Sequence, residues 1–153
     1  LIEASWLSCR NEEYGYESQV RENLTRLLLL IGDGRPQMLM ENAEKYRRYN
    51  ERTKQMLTFI KRHFGEELSV RDIADSASIS ESECLRCFRK ILDTSPIAYL
   101  KTYRLQRAAE LLETTSRKVS DIAAQCGFGE MSYFAKSFRE IYRCTPSQYR
   151  SRT

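Results

Sequence analysis

The sequence predicts an all-α protein: two helix-turn-helix subdomains joined by a long connecting helix, with linker- or dimerisation-type helices in front. Three observations predict it. Glycine and proline are scarce, 6 and 3 in 153 residues, which disfavours turn-rich sandwiches and barrels. Apolar residues recur at helical spacing along most of the chain. From Leu68 onward the chain also contains a degenerate internal repeat, one helical unit written twice.

The composition, 41% hydrophobic and 30% charged, is that of a globular soluble chain. The formal net charge of +4 is unevenly placed: residues 1–50 hold 7 Lys/Arg against 8 Asp/Glu, and residues 51–153 hold 18 against 13. A basic C-terminal part suits a polyanionic partner and equally an ordinary soluble domain. Cys9, Cys84, Cys87, Cys126 and Cys144 are an odd count, with no signal peptide and no apolar run of membrane-spanning length. The expected setting is the reducing cytoplasm, with no membrane partner. The chain opens at Leu1 in mid-pattern, which is read as a fragment missing an N-terminal partner domain.

Val20, Leu24, Leu27, Leu28 and Ile31 lie at helical spacing within residues 17–31, and Gly32, Gly34 and Pro36 stop that helix. Leu29 and Leu30 widen its apolar face beyond what a surface helix needs, so residues 17–31 are expected to pack on a missing domain, on the 56–64 helix or on a second copy, with a homodimer contact the favoured reading. A charged helix follows over 37–49, or merges into the next one. Met56, Leu57, Ile60 and Phe64 form the stripe of a helix ending at Gly65, where glycine can turn left-handed. Residues 1–49 are therefore assigned to a helical tail and linker, and residues 50–153 to a second domain.

Val70-Arg-Asp72-Ile73-Ala74 matches Val119-Ser-Asp121-Ile122-Ala123 at an offset of 49. After one inserted residue the offset is 50, pairing Ser82 with Ser132, Arg86 with Lys136 and Phe88-Arg89 with Phe138-Arg139. Ser95-Pro96…Tyr99 likewise meets Thr145-Pro146…Tyr149. Each copy is a short helix, a tight turn and a longer helix with a basic outer face: one helix-turn-helix over about 68–92, another over about 118–143. Ser69 is the expected N-cap of the first short helix, with Asp72 completing a capping box. The inward faces are Cys84, Cys87, Phe88 and Ile91, then Phe134, Phe138 and Ile141. Ser95 and Pro96 open the connecting helix, about 96–114, a rod of roughly 27 Å. Such a rod can hold two recognition helices about one duplex turn, roughly 34 Å, apart.

These residues resemble the AraC/XylS transcription regulators over roughly 50–150. The carriers are Leu68-Ser-Val-Arg-Asp-Ile-Ala74, Phe88-Arg-Lys90, Ser95-Pro-Ile-Ala-Tyr-Leu100, Arg104-Leu105 and Ala108-Ala109 with Leu111-Leu112. They continue with Val119-Ser-Asp-Ile-Ala-Ala-Gln-Cys-Gly-Phe128, Tyr133-Phe134, Phe138-Arg139 and Thr145-Pro-Ser-Gln-Tyr-Arg150. The resemblance implies a seven-helix unit that binds double-stranded promoter DNA through two recognition helices in adjacent major grooves; RNA polymerase is a candidate further partner, and no cofactor is expected. It places Ser82, Leu85 and Arg86 of the first copy, and Met131, Ser132, Ala135 and Lys136 of the second, towards bases. Arg89, Lys90, Arg104, Arg139, Gln148 and Arg150 are the candidates for phosphate contact, Arg104 equally for locking the connecting helix.

Some residues depart from the family pattern. Asp93 and Arg143 stand where it commonly has glycine, so those turns lose easy access to positive φ. Glu81 and Glu83 at the start of the first recognition helix suit the helix dipole but repel phosphate. Leu85 offers a base edge only methyl groups, suited to thymine. The second copy is accordingly the stronger DNA reader.

Cys84-x-x-Cys87 invites a metal or redox reading, but it sits alone mid-helix on the inward face and reads as core. Cys126 is expected to be packed and Cys144 to be a turn residue. His63 has no catalytic partners, no residue cluster makes a catalytic or metal site, and no enzyme is expected. Two rivals remain. One is a helical protein–protein module that has lost DNA binding. The other is the DNA-binding half of an alkylation-repair regulator, which needs a zinc-held reactive cysteine that Cys9 alone cannot furnish.

Overall fold

The computed structural model describes residues 36–151, together with Arg21, Leu24 and Thr25. Among these residues the elements are helices: α1 Pro36–His63, α2 Val70–Asp75, α3 Glu81–Leu92, α4 Pro96–Thr114, α5 Val119–Gln125, α6 Met131–Tyr142 and α7 Pro146–Arg150. The apolar face expected over 17–31 lies outside the described residues except for Leu24, which is exposed. The chain divides into two units, Leu1–Arg48 and Tyr49–Thr153. The second is described below.

Local chemistry starts the helices of the first copy. Ser69 caps α2 in a capping box: its hydroxyl accepts from the Asp72 amide, and the Asp72 carboxylate accepts from the Ser69 amide at 2.8 Å. The Ser69 hydroxyl, donating to the same carboxylate at 2.6 Å, and then the Ser69 amide hold the Asp72 carboxyl below its ordinary range. Ser80 caps α3, and Ser95 caps α4 with Pro96 in its first turn. In the second copy Thr145 caps α7 in a box with Gln148, while Lys118 and Glu130 give no side-chain cap at the starts of α5 and α6. A missing cap costs about 1 kcal/mol, whereas a fully buried Phe or Leu contributes about 1.5–3 kcal/mol. The cores, not the caps, therefore hold the second copy.

There are two cores. Met56, Ile60, Ile73, Cys84, Phe88 and Leu100 lead the first; Leu105, Leu112, Ile122, Phe128, Phe134 and Phe138 lead the second. Helix α4 serves both, through Leu100 on one side and Leu105, Ala108 and Leu112 on the other, and Phe64 packs against each. The repeat is visible in the packing as well. Tyr99 meets Phe88 edge-on at 5.9 Å, and Tyr149 meets Phe138 edge-on at 5.4 Å.

Both turns close the same way. The Ile79 amide donates to the Ala74 carbonyl at 3.2 Å, and the Phe128 amide to that of Ala123 at 3.0 Å, each across a left-handed residue, Ser78 or Gly127. The recognition-type helices also end alike, with Asp93 at φ 51° and Arg143 at φ 60°. The missing glycines thus do not change the backbone. The side chains accept the left-handed conformation, at about 1–2 kcal/mol for an ordinary residue.

Two expectations about packing are corrected. Ile141, expected on the inward face, is 44% exposed. Tyr142 takes the place instead, its ring stacked on Phe138 at 4.5 Å and held by Tyr149 of α7, a helix that periodicity within α6 cannot anticipate. Gly65 is not left-handed, since Gly127 is the glycine with positive φ among the described residues. Gly65 is small for another reason: a Cβ there would lie 2.7 Å from the Gln125 carbonyl oxygen.

Cys84, Cys87, Cys126 and Cys144 are all buried and free, so the cysteine expected in a turn is also packed. Among the described residues no group of His, Cys, Asp and Glu could hold a metal ion, and no helix is long and apolar enough to cross a membrane.

Candidate nucleic-acid interface

Helices α3 and α6 present the same surface twice, because each buries one face in its own core. On α3, Cys84, Cys87 and Phe88 point inward and Ser82, Leu85, Arg86, Arg89 and Lys90 are exposed. On α6, Phe134, Ser137 and Phe138 point inward while Met131, Ser132, Lys136 and Arg139 are exposed and Ala135 is half-buried. All seven candidate base-facing residues thus lie on the face away from a core, Ala135 the least accessible.

Each face opens beside a shallow cleft. Leu85, Arg89, Asp93, Thr94 and Ser95 line one of about 350 Å³; Ala135, Lys136, Arg139, Glu140 and Arg143 line one of about 490 Å³. The second is the more cationic. Its Glu140 is ion-paired to Lys101 at 3.1 Å, and Arg143 stands where the first cleft has Asp93. The sequence reading missed Arg143 as a cation of this surface because it was weighed only as a turn residue.

Other candidates are occupied by the chain itself. Arg104 is half-buried, donating from Nε to the Phe64 carbonyl at 2.7 Å and from Nη2 to that of Glu66 at 2.6 Å. Its guanidinium also fills the space a Cβ on Gly127 would need, 2.8 Å from Cζ. Of the two roles considered for Arg104, the lock is the one this geometry displays. Arg150 is half-buried and donates to the Arg117 carbonyl at 2.6 Å. Gln148 is exposed, with its Oε1 committed to the Thr145 amide at 3.0 Å.

Scaffold helices reach the recognition-type helices through cations that the sequence reading passed over. Arg52 of α1 binds Glu83 at 3.1 Å, and Glu83 binds Arg86 at 2.9 Å. Lys101 of α4 binds Glu140 and lies over the Tyr133 ring at 5.4 Å. The signal was present, since the offset of 49 continues upstream of Leu68 and pairs Arg52 with Lys101 and Met56 with Leu105. His63 sits at the end of α1, its Nδ1 2.9 Å from a Glu66 carboxylate oxygen and its ring beside Phe59.

Residues 73–152 match the helix-turn-helix domain family. The chain is 36% identical over 101 residues to the uncharacterised HTH-type transcriptional regulator YdeC of Bacillus subtilis, covering 66% of this chain and 35% of that protein. It therefore spans about a third of that relative's length. A crystal structure of an AraC-type transcriptional regulator from Chromobacterium violaceum superposes with a TM-score of 0.65 at 29% identity, over 67% of this chain and 92% of that one. The DNA-binding domain of AdpA, a global transcriptional factor solved in complex with a target DNA, superposes with a TM-score of 0.62 at 28% identity, over 65% of this chain and 89% of that one. The repeated helix-turn-helix, the family match and these likenesses agree, and the chain belongs to the AraC-type family of transcription regulators, carrying its DNA-binding domain.

Proposed function

We propose that this chain binds double-stranded promoter DNA by placing α3 and α6 in two successive major-groove segments, with Arg86 and Lys136 meeting base edges and Arg89, Lys90, Arg139 and Arg143 meeting phosphates. One observation carries the reading: the same outward surface, with a cation at the same position, is built twice on the two sides of α4. At 19 residues α4 is about 28 Å long, close to the rise of a duplex turn. AdpA, whose DNA-binding domain shares the fold, supports the choice of partner.

Phosphate contacts supply salt-sensitive affinity and register; base contacts supply preference. A selected-binding experiment on a randomised duplex library should yield a site. On it, Lys136→Ala is expected to cost about 1–3 kcal/mol while affinity for random duplex changes much less. Equal losses on both would make Lys136 a phosphate contact. No salt-dependent shift on any duplex would favour a protein–protein module.

A further inference from the structure

Glu83 counted against the first reader, because a carboxylate at the start of a recognition helix repels phosphate. Its surroundings alter that. Oε1 accepts from Arg52 Nη1 at 3.1 Å and Oε2 from Arg86 Nη1 at 2.9 Å, so one carboxylate lies between two guanidiniums. The Glu83 side chain is 22% exposed, against 58% for Arg86, so the anchor is sheltered and the reaching group is not. We propose that Glu83 is a positioning residue that holds Arg86 ready for a guanine edge, which makes α3 the more base-selective of the two readers. The inference rests on the assignment of Arg86 to a base.

A free arginine loses rotamer freedom when it docks, and a braced one has already lost much of it. The brace ties up Nη1 alone, leaving the Nε–Nη2 edge of the guanidinium for the paired acceptors O6 and N7 of guanine. Arg52 also offsets the carboxylate, so the cluster of Arg52, Glu83 and Arg86 carries one net positive charge towards the phosphates.

The repeat supplies the contrast. An offset of 49 takes Arg52 to Lys101, and an offset of 50 takes Glu83 to Tyr133. In both copies a scaffold helix thus sends a cation to the third position of the recognition-type helix. In the second copy that position is an aromatic ring, and Lys101 is paired with Glu140. Among the described residues no carboxylate holds Lys136, an ammonium that is a point charge rather than a planar fork. Base preference should be steeper opposite Arg86 than opposite Lys136.

The test uses the full chain and randomised duplex DNA. Sites are selected with wild type, Arg86→Ala, Glu83→Gln and Glu83→Ala. Duplexes carrying each of the four base pairs at the position whose preference Arg86→Ala erases are then titrated beside a random duplex. Glu83→Ala is expected to cut the guanine preference about three- to tenfold, with Glu83→Gln between it and wild type. Affinity for random duplex should hold or rise, because a negative charge has left. In an Arg86→Ala background, Glu83→Ala should change no preference. Circular dichroism melts report folding, and if the alanine variant does not fold, the glutamine variant decides. An unchanged preference in folded Glu83 variants, beside an erased one in Arg86→Ala, overturns the brace alone. Equal losses on selected and random duplex also overturn it, as a purely structural role. Intact preferences in Arg86→Ala overturn the base assignment, and the brace with it.

Discussion

Buried thiols show how a single side chain carries sequence, packing and pH response together. Cys84 and Cys87 recur at helical spacing with Phe88, which marked them as core rather than as ligands, and all three are buried. Burial pushes the Cys84 and Cys126 thiols from an ordinary 9.0 up to about 11, because the thiolate is poorly solvated there. The protonated form is thus favoured in the fold. Its contribution to stability is complete below pH 9 and is lost as the pH rises through about 11. Urea unfolding should therefore give a constant stability from pH 7 to about 9, then a decline that Cys126→Ala makes shallower. A decline finished below pH 9 would contradict this. Tyr149, pushed up to about 12 by donating its hydroxyl to Glu113, extends the same loss to higher pH.

The left-handed ends of α3 and α6 are the clearest departure of helix chemistry from helix geometry. Glycine is the residue such positions favour, yet Asp93 and Arg143 occupy them at φ 51° and 60°. Aspartate tolerates this region better than arginine, since its short side chain can bond locally. Arg143→Gly should then stabilise the protein by about 1 kcal/mol and Asp93→Gly by less, read as shifts in urea midpoint. Arg143 also lines the cleft beside α6, so the same variant should bind duplex DNA more weakly. Greater stability with unchanged DNA affinity would remove Arg143 from the interface.

Across the molecule, the joint between the two helix-turn-helix subdomains is built around Arg104. Its guanidinium ties the carbonyls of Phe64 and Glu66, which follow α1, to α4, and it closes against Gly127 of the second turn. Arg104→Ala should cost about 1–3 kcal/mol for the two carbonyls left without a charged donor. It should also relax the spacing requirement, so that duplexes with one base pair inserted between the half-sites lose less affinity than they do with wild type. Competition between native-spaced and inserted duplexes measures this. An unchanged spacing penalty would show that packing of Phe64 alone sets the geometry.

Periodicity, caps and the offset of 49 to 50 were enough to find the two helix-turn-helix units, the connecting helix and the outward placement of Arg86 and Lys136. These features are local: one turn of helix or one cap decides each, and repetition doubles the signal. Other features depend on what arrives from elsewhere in the chain. Tyr142 displaces Ile141 from the core because α7 brings Tyr149 against it. Arg104 turns to backbone carbonyls because the end of α1 lies within its reach. Glu83 changes from a repulsive charge into the centre of a cationic cluster because Arg52, 31 residues away, folds beside it. Charge and size are written in the sequence, but the partner that settles what each does is set by tertiary packing, since burial and Coulomb interaction depend on distance in space rather than along the chain.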